Sequence, residues 1–315
     1  MIYTCDYIGM IQIRYAQIDP NGLCNAGCWF CPVAYIGNPK EAINQMLPEE
    51  FRNIIQQIDY YKGDIVSPEF NGIYSSHYNE ALLYRYFEEM LETLREFKLG
   101  MMVLTNGTTL TPDKVDIMNK YMDVVWGVCV NAPVWSDAEL FAQRTNMNES
   151  IFQRLKMNVS YAYTNLKNKA LLSIQVNGHD RESGALKGPK FPNIPDTELD
   201  QQVAVAKEMF PNANVFKHPH LIDRVGLIDE YISSAPFIHK DKKVIGCLGK
   251  RDSEWIHVNA NSELFLCCND YHMEHKYGNL KETSLKDAWE SNKRKEVLEK
   301  AWGTICGTCT SALYE

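Results

Sequence analysis

Short β-rich runs alternate with helical stretches along most of this chain, and this alternation constrains the fold more than any other feature. The stretches between the runs carry apolar residues at helical spacing. Strands that alternate with helices form right-handed βαβ units around a parallel sheet. Six such units predict an α/β fold, a partial (β/α)6 barrel of the TIM type. The six β-rich runs are residues 11–15, 65–71, 101–105, 124–131, 171–176 and 214–217.

Composition and charge narrow the class of protein. The 315 residues are 45% hydrophobic and 23% charged, which is ordinary for a globular protein. The formal net charge of -8 argues against a large nucleic-acid footprint, which needs clustered Lys and Arg. Residues 1–10 do not resemble a signal peptide, and the apolar run 124–130 is far too short to cross a bilayer. We therefore expect a cytoplasmic protein with no nucleic-acid or membrane partner.

The ten cysteines are gathered mainly into two groups. In an intracellular protein of this size, cysteines at short spacings mark metal or redox sites more often than disulfides. Two others, Cys5 and Cys129, stand apart and are expected to be small buried apolar residues. The N-terminal group is Cys24, Cys28 and Cys31, and the C-terminal group is Cys247, Cys267, Cys268, Cys306 and Cys309.

The N-terminal group has the spacing of an iron–sulfur ligand set. Three residues separate Cys24 from Cys28, and two separate Cys28 from Cys31. Three thiolates on a four-iron cube leave one iron open, and that iron can chelate the amino and carboxylate groups of a ligand. A zinc knuckle is the alternative, but zinc needs a fourth ligand nearby and no His lies close to Cys31 in sequence.

The triad and its surroundings resemble the radical S-adenosylmethionine (SAM) superfamily, which has an aromatic residue just before the third cysteine. Phe30 occupies that position, and the resemblance implies that it contacts the adenine ring. The implied cofactors are a [4Fe–4S] cluster and SAM, with an external electron donor such as flavodoxin or ferredoxin. The implied reaction is reductive cleavage of SAM to methionine and a 5′-deoxyadenosyl radical, which abstracts a hydrogen atom from the substrate.

Further positions match the superfamily less specifically. Asn106 follows the third predicted strand in a Thr-Asn-Gly sequence that is common there. After the second strand the superfamily usually has a glutamate in a segment that binds the methionine amino group, and here Ser75 or Ser76 occupies its place. The resemblance makes several polar residues candidates for cofactor contacts, although each could equally be an ordinary strand end. These candidates are Gly72, Ser75, Ser76, Asn106, Asn131, Gln175 and Asn177.

The C-terminal cysteines resemble the auxiliary-cluster domain known as twitch, which is related to the longer SPASM domain. Its signature includes a hairpin before the second cysteine, then Gly-Asn, a helix with Trp and a final Cys-x-x-Cys, which Gly278, Asn279 and Trp289 match. Ser262 stands at the usual glycine position relative to Cys267, which favours Cys267 over Cys268 as a ligand. The resemblance implies a second, auxiliary [4Fe–4S] cluster, and a zinc site with four thiolates is the alternative. The predicted ligands are Cys247, Cys267, Cys306 and Cys309.

The predicted domains are a barrel over residues 1–235 and an auxiliary-cluster domain over residues 236–315. The sixth strand should end near the mouth of the barrel, where ligands bind. Substrate contacts are therefore predicted for three residues after it, although a polar loop explains them equally well. These residues are His218, His220 and Arg224. Asp270 is a candidate base beside the auxiliary cluster, or an exposed turn residue.

Two substrate types fit this sequence. One is a small molecule, such as an alcohol-bearing sugar or cyclitol, oxidised by two electrons; the other is a peptide or protein side chain. Only 23 residues precede Cys24, too few for the peptide-binding domain of some relatives, which favours the small molecule. A zinc-stabilised binding protein without catalysis is the alternative of another class.

Overall fold

A single nine-stranded sheet organises the chain in the computed structural model, which describes residues 12–39, 44–75, 78–178, 194, 196–218, 225 and 242–315. The first six strands pair in parallel, each with the next in sequence. This arrangement confirms the predicted partial (β/α)6 barrel. The strands are β1 (Tyr15–Ile18), β2 (Gly72–Tyr74), β3 (Gly100–Thr105), β4 (Val125–Asn131), β5 (Leu172–Asn177) and β6 (Asn214–His218).

Four of these strands lie within one residue of their predicted bounds, but β1 and β2 do not. The predicted run 11–15 reaches only the first residue of β1, and the predicted run 65–71 ends before β2 begins. Ile13 and Val66 from those runs form only an isolated bridge. Pro68 lies inside the second run and has no N–H to donate to a ladder. The strand therefore begins only at Gly72.

The helices cover the outer face of the sheet with buried apolar residues. Helix α2 begins with Pro48 at its first position, and the Glu50 carboxylate accepts a hydrogen bond of 2.9 Å from Leu47 N–H. None of the described helices is both long and apolar enough to cross a bilayer. They are α1 (Val33–Ile36), α2 (Pro48–Tyr60), α3 (Phe87–Glu96), α4 (Pro112–Lys120), α5 (Ala138–Thr145), α6 (Ser150–Asn165), α7 (Asp196–Met209), α8 (Leu285–Glu290) and α9 (Asn292–Trp302).

Strand register separates the residues that face the helices from those that face the barrel interior. Directly paired residues share a face, and successive residues alternate between faces. Val103, Val128 and Ile174 belong to the core under the helices. The opposite face lines the interior. Its residues include Tyr74, Met102, Leu104, Cys129, Asn131, Ser173, Gln175, Asn177, Phe216 and His218.

The predicted C-terminal hairpin is confirmed, and it extends the barrel sheet. Strand β8 (Trp255–Val258) pairs in parallel with β1, and β9 (Glu263–Phe265) pairs antiparallel with β8. Strand β10 (Lys276–Asn279) completes this edge. The hairpin and barrel therefore share one sheet, although the sequence pattern predicted that they belong to separate domains. The predicted domain boundary between residues 235 and 236 lies outside the described residues.

A second, two-stranded sheet was not predicted. It pairs β7 (Val244–Cys247) antiparallel with β11 (Ala312–Tyr314). Strands of three or four residues are too short to show a clear alternation in sequence. This small sheet places Cys247 directly opposite Ala312, three residues after Cys309.

The Trp126 ring lies across two glycines where strands β2 and β3 begin. A Cβ on Gly100 would lie 1.8 Å from Trp126 Nε1, and a Cβ on Gly72 would lie 2.1 Å from Trp126 Cη2. Real Cβ atoms do not approach other atoms this closely. The ring therefore occupies space that only glycine leaves open at both positions.

We expect Gly100→Ala to lower the free energy of unfolding by about 1–3 kcal/mol, because the added methyl overpacks a site already filled by indole. Urea denaturation of the metal-free chain would measure the loss. Gly303→Ala is the matched control, since its new Cβ would lie no closer than 3.6 Å to the nearest atom. Equal stabilities for the two variants would contradict this account of the Trp126 contact.

Candidate active site

The three N-terminal cysteines occupy the loop between β1 and α1. Cys31 N–H donates to the Cys28 carbonyl at 2.8 Å, which closes a tight turn. Two backbone bonds dock this loop on the end of α5: Gly27 N–H donates to Thr145 O at 2.8 Å, and Trp29 N–H donates to Arg144 O at 3.1 Å. The ligand loop is therefore fixed by backbone contacts on both sides of Cys28.

Asn38 holds the first cysteine from the other end of the loop. Its side-chain oxygen accepts a 3.0 Å hydrogen bond from Cys24 N–H, and its amide nitrogen donates to Cys24 O at 3.3 Å. Both polar groups of the Cys24 backbone are thereby tied to one side chain. Asn38 follows Gly37, whose φ of 84° is readily adopted only by glycine.

The three thiols lie close enough together to perturb one another. Burial raises the pKa of Cys24 to about 12 and also raises the pKa of Cys28, and neighbouring cysteine charges act in the same direction. Three thiolates at such a site are costly unless a cationic group compensates them. The donor set thus fits an iron–sulfur cluster held by Cys24, Cys28 and Cys31.

A ring of side-chain hydrogen bonds connects the cysteine loop to the end of β3. Asn106 Nδ2 donates to Asn25 Oδ1 at 2.8 Å, and Asn25 Nδ2 donates to Thr108 Oγ1 at 3.0 Å. Thr108 Oγ1 then donates back to Asn106 Oδ1 at 2.6 Å. The Asn106 side chain also lies close enough to the Cys24 thiol to lower its pKa. The predicted cofactor residue Asn106 therefore lies at the cysteine site.

Glu80 is the acidic residue at this site that the sequence analysis missed. Its buried carboxylate accepts hydrogen bonds from Thr105 Oγ1 at 2.7 Å, Asn106 N–H at 2.7 Å and Thr109 Oγ1 at 2.8 Å. Burial raises the pKa of Glu80, while these bonds act in the opposite direction. Its charge in turn raises the pKa of the Cys24 thiol.

The signal for Glu80 was present in the sequence but lay farther along the chain than expected. It follows Ser75 by five residues and lies just before a short 3-10 turn, Ala81–Leu83, which precedes α3. Glu80 caps that turn by accepting a hydrogen bond from Leu82 N–H at 3.3 Å. The loop after β2 is thus longer than expected for a strand that leads directly into a helix.

The predicted residues around β2 have different positions. Gly72 begins the strand and lies against Trp126, at the end away from the cysteine loop, because the strand starts where the sequence predicted that it ended. Ser75 follows the strand and is fully buried, and its hydroxyl has no hydrogen-bond partner among the described residues. That orphaned hydroxyl fits a polar cofactor group. Ser76 lies outside the described residues.

Three other predicted residues form one chain of amides at the ends of β4 and β5. Gln175 Nε2 donates to Asn177 Oδ1 at 2.7 Å, and Asn177 Nδ2 donates to Asn131 Oδ1 at 2.5 Å. His218 ends β6 and pairs in register with Asn177. The structure therefore brings these four residues together at the carboxyl ends of parallel strands. His220 and Arg224 lie outside the described residues.

Phe30 is half-buried beside the cysteine turn. Its ring meets Trp29 edge to face, with ring centroids 5.5 Å apart and an interplanar angle of 88°. Trp29 is buried in the core, so it limits the positions open to the Phe30 ring. The position agrees with the predicted adenine contact, which stays a prediction.

Four C-terminal cysteines, the four predicted ligands of the auxiliary site, line one cavity, and their role as ligands stays a prediction. Three separate segments converge there: the end of β7, the loop after β9 and the turn between α9 and β11. Cys268 is not among the residues that line the cavity, which agrees with the preference for Cys267. The lining thiols are Cys247, Cys267, Cys306 and Cys309.

Polar groups around this cavity are aimed at the sulfur atoms. Asn269 N–H donates to Cys267 Sγ at 3.4 Å, and Asn269 Nδ2 donates to Cys309 Sγ at 3.7 Å. Burial raises the pKa of Cys306 to about 12, with Cys309 and Cys247 acting in the same direction. N–H···S bonds of this kind surround cluster ligands, so the donor set fits an iron–sulfur group. Within the described ranges, no three Cys, His, Asp or Glu side chains form a compact single-ion site.

Asp270 is buried, whereas the alternative prediction was an exposed turn residue. Its carboxylate accepts hydrogen bonds from Glu274 N–H at 3.1 Å and His275 N–H at 2.9 Å. The His275 ring lies 3.2 Å from the same carboxylate. These contacts give Asp270 a role in shaping the loop after Cys267, and its role as a base stays a prediction.

Two parts of the sequence match known families. Residues 18–162 match the radical SAM superfamily, and residues 247–310 match SPASM, an iron–sulfur cluster-binding domain. With the barrel and its cysteine loop, the two matches together show that the chain is an enzyme of the radical SAM superfamily. More particularly, it is a member with a C-terminal SPASM domain. A radical SAM domain implies a [4Fe–4S] cluster and SAM, and a SPASM domain implies auxiliary iron–sulfur clusters, so zinc is disfavoured at the second site.

Solved structures of radical SAM enzymes share the fold of this chain, at sequence identities too low to indicate more than the fold. BtrN in complex with AdoMet and 2-DOIA is 15% identical with a TM-score of 0.53, over 95% of this chain and 92% of BtrN. Streptococcus suis SuiB bound to precursor peptide SuiA is 13% identical with a TM-score of 0.61, over 90% of this chain and 65% of SuiB. Native anSMEcpe with bound AdoMet is 12% identical with a TM-score of 0.58, over 94% of this chain and 86% of anSMEcpe. No curated protein matches this chain in sequence.

We expect Glu80→Gln to destabilise the chain by about 1–3 kcal/mol, because one carboxylate oxygen becomes an NH2 group that faces buried donors. The end of β3 would loosen, and cluster iron would be released faster to a chelator. Thermal denaturation and absorbance at cluster wavelengths would measure the two effects. Glu282→Gln, at an exposed turn, should change neither, and equal behaviour of both variants would contradict the role of Glu80.

Proposed function

We propose that this chain cleaves SAM at a cluster held by Cys24, Cys28 and Cys31 and oxidises a small hydroxyl-bearing molecule inside the barrel. The observation that carries the proposal is the pairing of a three-thiol loop at the barrel with a four-thiol cavity in the SPASM domain. When bound, the cluster and SAM supply a 5′-deoxyadenosyl radical that takes a hydrogen atom from a substrate carbon.

The chain's own residues would bind and orient the cosubstrate. Glu80 and the orphaned Ser75 hydroxyl lie near the carboxyl end of β2, where they could accept hydrogen bonds from the methionine ammonium. The amide chain of Asn131, Gln175 and Asn177 offers donors and acceptors for the carboxylate and ribose. Phe30 would pack against the adenine.

The four-thiol cavity would hold one auxiliary [4Fe–4S] cluster with all four positions ligated by protein. A two-electron oxidation removes one hydrogen atom, one further electron and one proton from the substrate. The auxiliary cluster is a suitable acceptor for that electron, and a donor such as flavodoxin or ferredoxin would supply the reducing electron for SAM. Asp270 or solvent would accept the proton.

The barrel interior supports a small hydroxylated substrate. The interior face presents the hydroxyls of Tyr74 and Ser173, the amide of Gln175 and the ring of Phe216. Phe216 points inward, because Val215 lies in the core and Lys217 pairs with Asp200 of α7 on the outer side. Hydroxyl and amide groups beside an aromatic ring suit hydroxyl recognition. Modification of a peptide side chain is the alternative.

Metal analysis after anaerobic reconstitution tests the two cluster sites. The parent chain should bind about eight irons, from two four-iron clusters. Cys28→Ala should retain about four and lose dithionite-driven release of 5′-deoxyadenosine, whereas Cys267→Ala should lose about four and keep that release. Cys268→Ala is the matched control and should keep both clusters. Stoichiometric zinc without iron in the parent chain would refute the proposal.

Deuterium transfer tests the substrate class. Deuterated cyclitols and sugars should pass deuterium to 5′-deoxyadenosine, and an accepted substrate should show a kcat/KM at least about tenfold lower in Phe216→Ala. Tyr60→Ala removes an aromatic ring that is 80% exposed on α2 and serves as the control. Transfer from peptides, with none from the small molecules, would establish the peptide alternative instead.

A further inference from the structure

Tyr271 connects the two cysteine sites. It lies four residues after Cys267, in the loop that borders the four-thiol cavity, yet its side chain reaches the N-terminal cysteine loop. The residue is only 1% exposed, and its hydroxyl donates a hydrogen bond to the Gly37 carbonyl. The ring also packs edge to face on Tyr78, with centroids 4.6 Å apart.

On the barrel side, this contact falls at the turn that holds Cys24. Gly37 ends α1 in a conformation that favours glycine, and the next residue is Asn38. Asn38 holds both backbone groups of Cys24. Burial raises the pKa of Tyr271, and the neighbouring Cys31 and Cys24 act in the same direction, since its hydroxyl lies near both thiols. The Tyr271 hydroxyl is thus connected to Cys24, a predicted cluster ligand, through Gly37 and the adjacent Asn38.

On the SPASM side, the Tyr271 backbone is part of the auxiliary ligand loop. Asp270 N–H donates to the Cys267 carbonyl at 3.0 Å, and Met273 N–H donates to the Asp270 carbonyl at 2.9 Å. Asn269, two residues before Tyr271, donates hydrogen bonds to the sulfurs of Cys267 and Cys309. A change in the position of Cys267 would therefore move the backbone that carries Tyr271.

We propose that Tyr271 is a positioning residue that makes the geometry of the Cys24 loop depend on the auxiliary-cluster loop. Its hydroxyl holds the Gly37 turn, and its backbone follows Cys267. This inference rests on the proposed function for its cluster chemistry. The contact itself belongs to the protein alone and can be tested without either cluster.

The test compares Tyr271→Phe with Tyr84→Phe. Tyr84 is equally buried and also donates to a backbone carbonyl, Met46 O at 2.8 Å, but it belongs to neither cysteine site. In the metal-free chain, Tyr271→Phe should speed alkylation of Cys24, followed by mass spectrometry, by about three- to tenfold, since one hydrogen bond no longer opposes opening of the loop. Tyr84→Phe should leave that rate within about twofold of the parent.

In the reconstituted enzyme, the electron paramagnetic resonance signal of the reduced first cluster supplies a second readout. SAM should shift this signal in the parent and in Tyr84→Phe, and Tyr271→Phe should need about three- to tenfold more SAM for half the shift. In the metal-free chain, adding Cys267→Ala to the parent should accelerate Cys24 alkylation, and adding it to Tyr271→Phe should cause little further acceleration. That non-additivity is the signature of a connection through Tyr271.

The outcomes separate the two proposals. If Tyr271→Phe matches Tyr84→Phe in both Cys24 alkylation and SAM response, the positioning role of Tyr271 is wrong, whatever the clusters do. If the parent chain takes up no iron but Tyr271→Phe still speeds Cys24 alkylation, the proposed function fails and the positioning role stands. Fully additive effects of Tyr271→Phe and Cys267→Ala would overturn the connection to the auxiliary loop.

Discussion

The parallel pairing of β8 with β1 underlies the arrangement of both cysteine sites. β1 leads directly into the loop of Cys24, and β8 leads through the hairpin to Cys267. Their register is fixed by packing: Tyr15 stacks on Trp255 with ring centroids 4.7 Å apart, and Ala16 and Ile256 are fully buried. A slip of one residue would exchange the faces of β8 and bury the wrong side chains. The register between β1 and β8 therefore fixes the position of the hairpin relative to the barrel.

Local chemistry decided which parts of this architecture could be predicted from the sequence. Strands β3 to β6 follow the predicted β-rich runs, which turn residues bound, and each was located within one residue. The displaced β2 reflects Pro68, whose effect on the ladder outweighs the apolar residues before it. The shared sheet could not be predicted, because pairing between β1 and β8 joins segments about 240 residues apart in sequence.

The candidate sites show the same division. The two cysteine groups were evident from spacing, and the structure places four thiols around one cavity. Glu80 was missed because it acts through the folded loop after β2 rather than through a motif at the strand end. Asp270 was assigned as a candidate base from its place in sequence, but its hydrogen bonds to Glu274 and His275 depend on a turn that no local pattern revealed.

The Trp126 ring over Gly72 and Gly100 has a consequence for how homologous chains can vary. Neither glycine can gain a side chain while the indole is present, and the indole loses its platform if either glycine is replaced. A smaller residue at position 126 would release the constraint on Gly100, whereas a Cβ on Gly72 would still lie 2.2 Å from the Gly100 carbonyl oxygen. Positions 100 and 126 should therefore change together among relatives while position 72 stays glycine, and such joint substitution would mark where this end of the barrel has been rebuilt.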